Sequence, residues 1–179
     1  MATALRQVTS LGYVRLEDRR WPDAVPLGPG AVLVGPAGVF AVDVLRTGRP
    51  RPGGAERLLE RHSVRRRRAR AAGAAAAIAG LLHPALGRHV CAVVALVGAD
   101  PLPVRSLPED VRAGDVASLV AWLAAEPQRL KPHVADLVVD SLRRGLPPAL
   151  PIATPSVRQV SGVVNPRPLA GLYDRIRRG

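Results

Sequence analysis

The densest chemistry in this chain lies between residues 46 and 70, where ten arginines stand against Glu56 and Glu60 and leave a local charge of +8. Arg46 opens the segment, and its sharpest run is Arg65-Arg66-Arg67-Arg68-Ala69-Arg70. A guanidinium stays charged at any ordinary pH and presents a planar fork of donors that matches phosphate or carboxylate oxygens. A second excess falls between residues 150 and 179, five arginines against Asp174, and the other positions balance, so the net charge of +12 is localised. Such patches attract polyanions, nucleic acid (DNA or RNA) first among them, although an acidic protein surface or plain solvation would also suit them. Of the 26 basic residues 25 are arginine, and Ala, Gly, Pro and Val abound. Codon bias in a GC-rich genome accounts for arginine over lysine but not for the localisation. The aromatic residues Tyr13, Trp21, Phe40, Trp122 and Tyr173 are too few and scattered for a base-stacking platform. Any nucleic-acid contact would therefore be to the phosphate backbone, with little sequence preference.

Asp43 is the carboxylate that stands out, because it ends an apolar run. Buried alone it would cost several kcal/mol, so it must be exposed or paired, with Arg46 and Arg49 as the near candidates. Other chemistries find less support. His62, His83, His89 and His133 lack ligand spacing with cysteine or acid, which argues against zinc. Ser63 and Ser118 have no glycine-flanked elbow. Pro29 removes an amide from Gly28-Pro29-Gly30, and no helix follows it, so a phosphate-cradling loop is not expected. Cys91, the single cysteine, lies in the apolar run Val90–Val97 and reads as a buried, inert thiol.

The elements that must position these groups read as α/β. A chain of 179 residues with 47% apolar content suits one domain with a tail rather than disorder. Tyr13–Glu17 alternates as a half-buried strand. Ala31–Gly35 and Val39–Val44 form a hairpin across Pro36-Ala37-Gly38, and being apolar on both faces they imply a sheet covered on both sides. Thr47–Gly54 is a loop, and Glu56–His62 is left open between strand and helical turn. From Ser63 a helix turns Val64, Arg68, Ala72, Ala75, Ala79 and Leu82 inward and stops at Pro84, with Arg68 snorkelling along the apolar edge. Val90–Val97 is a central strand and Val104–Leu107 a short edge strand. Asp115 caps a helix to Ala125 that buries Val116, Leu119, Val120 and Leu123. Pro132 starts the last helix and Gly145 ends it, with Val134, Leu137, Val138 and Leu142 inward. Residues 1–12 read as an extension and 149–179 as a Pro/Arg-rich extended tail. The opening residues show no secretory h-region, and the apolar stretches Ala71–Leu82 and Val90–Ala99 fall short of the ~18 residues of a membrane span. The expectation is a cytoplasmic protein without a membrane partner.

Several of these segments together carry a resemblance. Leu16-Glu17-Asp18-Arg19-Arg20-Trp21-Pro22, then Gly35-Pro36-Ala37-Gly38-Val39-Phe40-Ala41-Val42-Asp43, resembles the start of a bacterial nuclease-related domain (NERD). Similarity continues through Val94–Ala99, Gly114-Asp115-Val116 and Trp122-Leu123 to Leu146-Pro147-Pro148, covering about residues 13–148. The Gly-Pro-Ala-Gly-Val-Phe hairpin is its most specific part. The resemblance implies a three-layer α/β fold: a central mixed sheet with a β-hairpin, flanked by helices, as in the restriction-endonuclease-like core of PD-(D/E)XK nucleases. In that chemistry two carboxylates hold magnesium or manganese, the metal activates water, and a lysine steadies the charge developing at phosphorus.

This chain departs from the pattern at the catalytic positions. The family's Asp-His falls on Gly30-Ala31, and its Asp-x-Lys on Asp43-Val44-Leu45, so one acid remains and the lysine is gone. The N-terminal helix with its glutamate has no room in the twelve residues before Tyr13, and a helical glutamine falls on Ala74. Arg46 follows the triplet but cannot act as a base near neutral pH, while Asp18 and Asp23 flank the first strand as possible substitutes. The expectation is a catalytically degenerate nuclease-related domain. Asp43 is its catalytic remnant and the sole metal-ligand candidate, and no cofactor is expected. Nucleic acid or a partner would be met through Arg46, Arg65, Arg66, Arg67, Arg68 and Arg70. The alternatives are an active metal-dependent nuclease, which would take Mg2+ on Asp43, and an interaction module for an acidic protein.

Overall fold

A computed structural model of the chain describes residues 7–22, 30–47, 62–99 and 101–149. The expectations for 1–6, Asp23, Gly28-Pro29, Arg49, the loop after Thr47, the Glu56–Arg61 segment and the tail from residue 150 lie outside the described residues. A helical turn over residues 7–10 leads into β1 (Val14–Glu17), followed by β2 (Ala31–Gly35) and β3 (Gly38–Arg46). Next come α1 (His62–Leu81), the short α2 (Pro84–Gly87) and β4 (Val90–Val97). Then β5 (Arg105–Leu107), β6 (Val111–Asp115), α3 (Val116–Ala125) and α4 (Pro132–Gly145) follow.

The strands form one six-stranded mixed sheet in the order β1-β2-β3-β4-β6-β5. β1, β2 and β3 pair antiparallel, β3, β4 and β6 pair parallel, and β5 closes the far edge antiparallel to β6. The hairpin between β2 and β3 closes on Gly35 opposite Gly38. Gly38 is needed there twice over: its φ is +137°, and a Cβ would lie 2.6 Å from the His89 carbonyl oxygen, which also accepts the Val39 amide. The Pro36 carbonyl at the turn accepts the amides of Arg129 and Leu130, tying the hairpin to the stretch between α3 and α4.

Successive strand residues face opposite sides of a sheet, and the two sides are covered unequally. On one side Leu16, Val32, Val34, Val39 and Ala41 pack under α1 and α4, meeting Ala74, Ile78, Val138, Val139 and Leu142. Towards β4 and β6 the same side continues through Ala71, Val94, Leu96 and Ala113. The other side carries Leu33, Phe40, Val93 and Ala95 against Val8, Tyr13, Leu119 and Leu123. There Phe40 meets Tyr13 and Trp122 edge-on, with centroids 6.0 Å and 5.6 Å away. The three layers agree with the sequence reading, but this second side is only partly roofed by α3, because Val42, Val44 and Ala31 stay half-exposed.

Three details differ from expectation. The inward stripe of α1 is Val64, Ala71, Ala74, Ile78 and Leu82, whereas Ala72, Ala75 and Ala79 lie on its flank. An alanine-rich helix offers little contrast between faces, and Ile78, fully buried where Leu81 is exposed, sets the phase. In α4 Leu137 is 65% exposed and Val139 is buried instead. β6 was not anticipated, because Val111-Arg112-Ala113-Gly114-Asp115 carries neither alternation nor a β-branched run. Its strand form comes from being filled in between β4 and β5. Leu146–Ala149 finishes beside the end of β1: Arg20 donates its amide to Pro147 O, Ala149 to Asp18 O, and Arg19 bridges to Pro148. Among the described residues no helix is long and apolar enough to cross a membrane.

Candidate functional site

Asp43 sits near the carboxyl end of β3, on the side of the sheet that α1 covers, and its side chain is 1% exposed. Register explains why Arg46 is not its partner. Three residues on, Arg46 points to the opposite side of the sheet. α1 supplies the counter-charges instead, and Arg49 lies outside the described residues. Arg67 donates from Nη1 to Asp43 Oδ1 at 2.9 Å and Arg70 from Nη2 to the same oxygen at 3.1 Å, while the Val44 amide adds a third hydrogen bond at 2.9 Å. Three residues apart on a helix, Arg67 and Arg70 share a face. That face continues into the buried Ala71, Ala74 and Ile78, so packing of the alanine stripe carries both guanidinia to the strand end. Asp43 Oδ2 is shielded from solvent and has no hydrogen-bond partner among the described residues.

The neighbours of Asp43 are the positions at which the resemblance expects an acid and a lysine. Ala31 pairs with Val42, so Gly30 stands one step before β2 at the level of Asp43, but a Cβ there would lie 3.7 Å from Val44 Cγ2, towards the opposite side of the sheet. Leu45 is two positions along β3 and on the same side as Asp43. Leu45 therefore puts an isobutyl group where the resemblance expects a cation, and Gly30 supplies no carboxylate. A divalent ion needs several hard oxygen donors, its affinity grows with their charge and number, and here one buried carboxylate is already held by two guanidinia. Among the described residues no group of three or more His, Cys, Asp or Glu could hold a metal ion. The donors around Asp43 among the described residues do not fit magnesium or manganese.

The structure divides the arginine run into working parts. Arg68 does not snorkel. Its Nε and Nη2 donate to the two carboxylate oxygens of Glu109 at 3.2 and 3.1 Å, a fork-on-fork pair across to the turn before β6. Arg67, Arg68 and Arg70 are thus engaged by acids, and only Arg65 and Arg66 are exposed without an ion pair to a described residue. The missed signal was periodicity: Arg67, Ala71, Ala74 and Ile78 recur at four, three and four, and mark the sheet-facing stripe. The two acids also relieve a local conflict, since α1 has no acid in its first turn and its N-terminal dipole disfavours a cluster of cations.

Asp115, at the end of β6, is the carboxylate at the end of another parallel strand. It caps α3 as expected, accepting from the amides of Ala117 at 2.9 Å and Ser118 at 3.2 Å. Ser118 Oγ and the Leu102 amide bond its other oxygen at 2.5 and 2.8 Å. Burial pushes its pKa up, but the Ser118 hydroxyl and the three backbone donors outweigh this and the net shift is downward. Cys91 is half-buried, and burial raises its thiol pKa, which keeps it protonated and unreactive.

The chain matches no protein-family model, no curated protein and no solved structure.

Proposed function

We propose that this chain is a catalytically inactive, nuclease-related (NERD-like) domain that holds the phosphate backbone of nucleic acid against the amino-terminal turns of α1. The supporting observation is the state of Asp43: a buried carboxylate ion-paired with Arg67 and Arg70, with Leu45 where the resemblance expects a lysine. Charge that a nuclease would place on a divalent ion is placed here on fixed guanidinia. These can neutralise phosphate but cannot activate water, having no acidity near neutral pH. Arg65 and Arg66 stand exposed next to this pair, and Arg46 is exposed at the end of β3.

The reading is tested by incubating duplex DNA and RNA with the full chain and magnesium or manganese, and by anisotropy titrations across a salt series. The expected results are no cleavage, and binding whose log–log salt slope falls by about 1.8 in Arg65→Gln/Arg66→Gln, at about 0.9 per phosphate contact. Asp43→Asn, which removes one anion and loosens two guanidinia, should strengthen binding. Metal-dependent cleavage lost in Asp43→Ala would overturn the reading in favour of an active nuclease. Absence of binding at low salt would favour an acidic protein as the partner.

A further inference from the structure

The half-roofed side of the sheet, opposite Asp43, holds a trough of about 510 Å³. Its floor is formed by Leu33, Phe40, Val42, Val44, Ala95 and Val97, and α3 walls one flank with Leu119, Val120 and Trp122. The volume falls within the roughly 300–1,000 Å³ typical of small-molecule sites, which are mostly apolar with a few placed polar groups. From the Phe40 row to the Arg46 row the floor runs six residues along β3, about 20 Å at ~3.3 Å per residue. One leaflet of a bilayer's ~30 Å hydrocarbon core is about 15 Å deep, so the trough can take an extended acyl chain lengthwise.

The polar groups at its margins are few, and their charges do not cancel. Arg15 and Glu17 on β1 form an ion pair along one rim. Arg67 reaches the end of the trough but is committed to Asp43. Arg46, at the same end, lines the trough, is exposed, and makes no ion pair with any described residue. Counted with Arg70, which shares Asp43 with Arg67, these groups carry a charge of +2, located at the Arg46 and Arg67 end of an apolar channel.

We propose that this trough binds a long-chain carboxylate, a free fatty acid, with its chain along β3 under α3 and its head group on Arg46. A carboxylate pairs with Arg46 at the positive end, and an acyl chain covers the half-exposed valines that α3 leaves open. This inference shares Arg46 with the nucleic-acid reading, whose other residues lie on α1, and the acid-against-alcohol comparison tests it separately from DNA binding.

Trp122 lies in the trough, whereas Trp21 packs on the other side of the sheet, so Trp21→Phe leaves a single reporter. In this variant of the full chain, hexadecanoate below its aggregation concentration should shift Trp122 emission saturably, with one site per chain. Hexadecanol should bind at least about tenfold more weakly, the worth of one charge-assisted hydrogen bond. Arg46→Gln should bring the acid down to the level of the alcohol, and Val44→Glu, which puts a like charge on the floor, should weaken the acid further. Far-UV circular dichroism and a thermal melt establish that each variant is folded. A thermal shift of the parent chain by hexadecanoate gives a second readout without substitution. Equal binding of acid and alcohol, an acid preference that survives Arg46→Gln, or no saturable response would each overturn the proposal. So would adsorption to phosphatidylglycerol vesicles without any response to monomeric hexadecanoate.

Discussion

Asp43 and Asp115 occupy equivalent places, at or near the carboxyl ends of the parallel strands β3 and β6, yet they are satisfied in opposite ways. Asp115 is met by neutral donors, a hydroxyl and three amides, shared between both of its oxygens. Two of those amides belong to the first turn of the helix it starts, so the anion also meets the positive end of that helix. Asp43 is met by two full positive charges and one amide, all on a single oxygen, with the other oxygen unpartnered among the described residues. The first arrangement is how a protein builds a helix cap. The second resembles a site in which fixed cations stand where another cation would otherwise be needed. The difference shows that one sheet can satisfy two strand-end carboxylates either by neutral donors close in sequence or by charged donors from a distant helix.

If that contrast is right, the largest loss of stability comes from removing Asp43. Deleting one member of a buried ion pair costs about 3–5 kcal/mol, and because Arg67 is 35% exposed and can turn to water, about 2–3 kcal/mol is expected for Asp43→Ala. Urea midpoints measure it. A loss under about 1 kcal/mol would mean the cluster behaves as a surface pair and the contrast with Asp115 is empty. A double-mutant cycle between Asp43→Asn and Arg67→Gln sharpens the point, with a coupling of about 1–2 kcal/mol expected for groups in direct contact.

Asp115→Ala comes next. Loss of a helix cap costs about 1 kcal/mol, up to ~2 where, as here, a further amide from Leu102 is left without its acceptor. The effect should appear as early exchange of the Ala117 and Ser118 amides, which Asp43→Ala should leave protected. Equal loss of protection in both variants would erase the distinction between local and long-range satisfaction.

The pH dependence separates the two acids further. The folded pKa of Asp115 is lowered, so its contribution to stability is complete above the ordinary aspartate value of about 3.9 and is lost as pH falls through the depressed folded value. Denaturant midpoints of the native chain should therefore decline on acidification below about pH 4. Asp115→Asn, which can never ionise, should show a shallower decline over the same interval. Identical slopes would assign the acid sensitivity to other carboxylates.

Arg68→Gln should have the smallest effect. Its partner Glu109 is 48% exposed, and solvent-exposed ion pairs contribute about 0–1 kcal/mol even when the geometry is good. A loss as large as that of Asp43→Ala would show that the α1-to-β6 contact, and not the α1-to-β3 contact, holds the arginine run in place.

What the amino-acid sequence determined by itself is the part of this protein governed by near neighbours. The hairpin at Pro36-Ala37-Gly38, the cap at Asp115, the start of α4 at Pro132 and the central strand Val90–Val97 all follow from residues within a few positions of one another. Turn φ angles, orphan helix amides and unbroken β-branched runs are properties of short segments. Charge localisation was equally legible, because it needs only counting. What the sequence left open is everything that depends on which faces meet. The arginines next in sequence to Asp43 were its natural partners on paper, but strand alternation sends Arg46 to the other side of the sheet, and partners 24 and 27 residues away come in on α1. That choice was made by the phase of an alanine-rich helix, whose own pattern is too even to announce it and which settles only when Ile78 finds its place in the core. The strand form of Val111–Asp115 and the uneven roofing of the sheet belong to the same class, since both arise from what the rest of the molecule packs beside or above them.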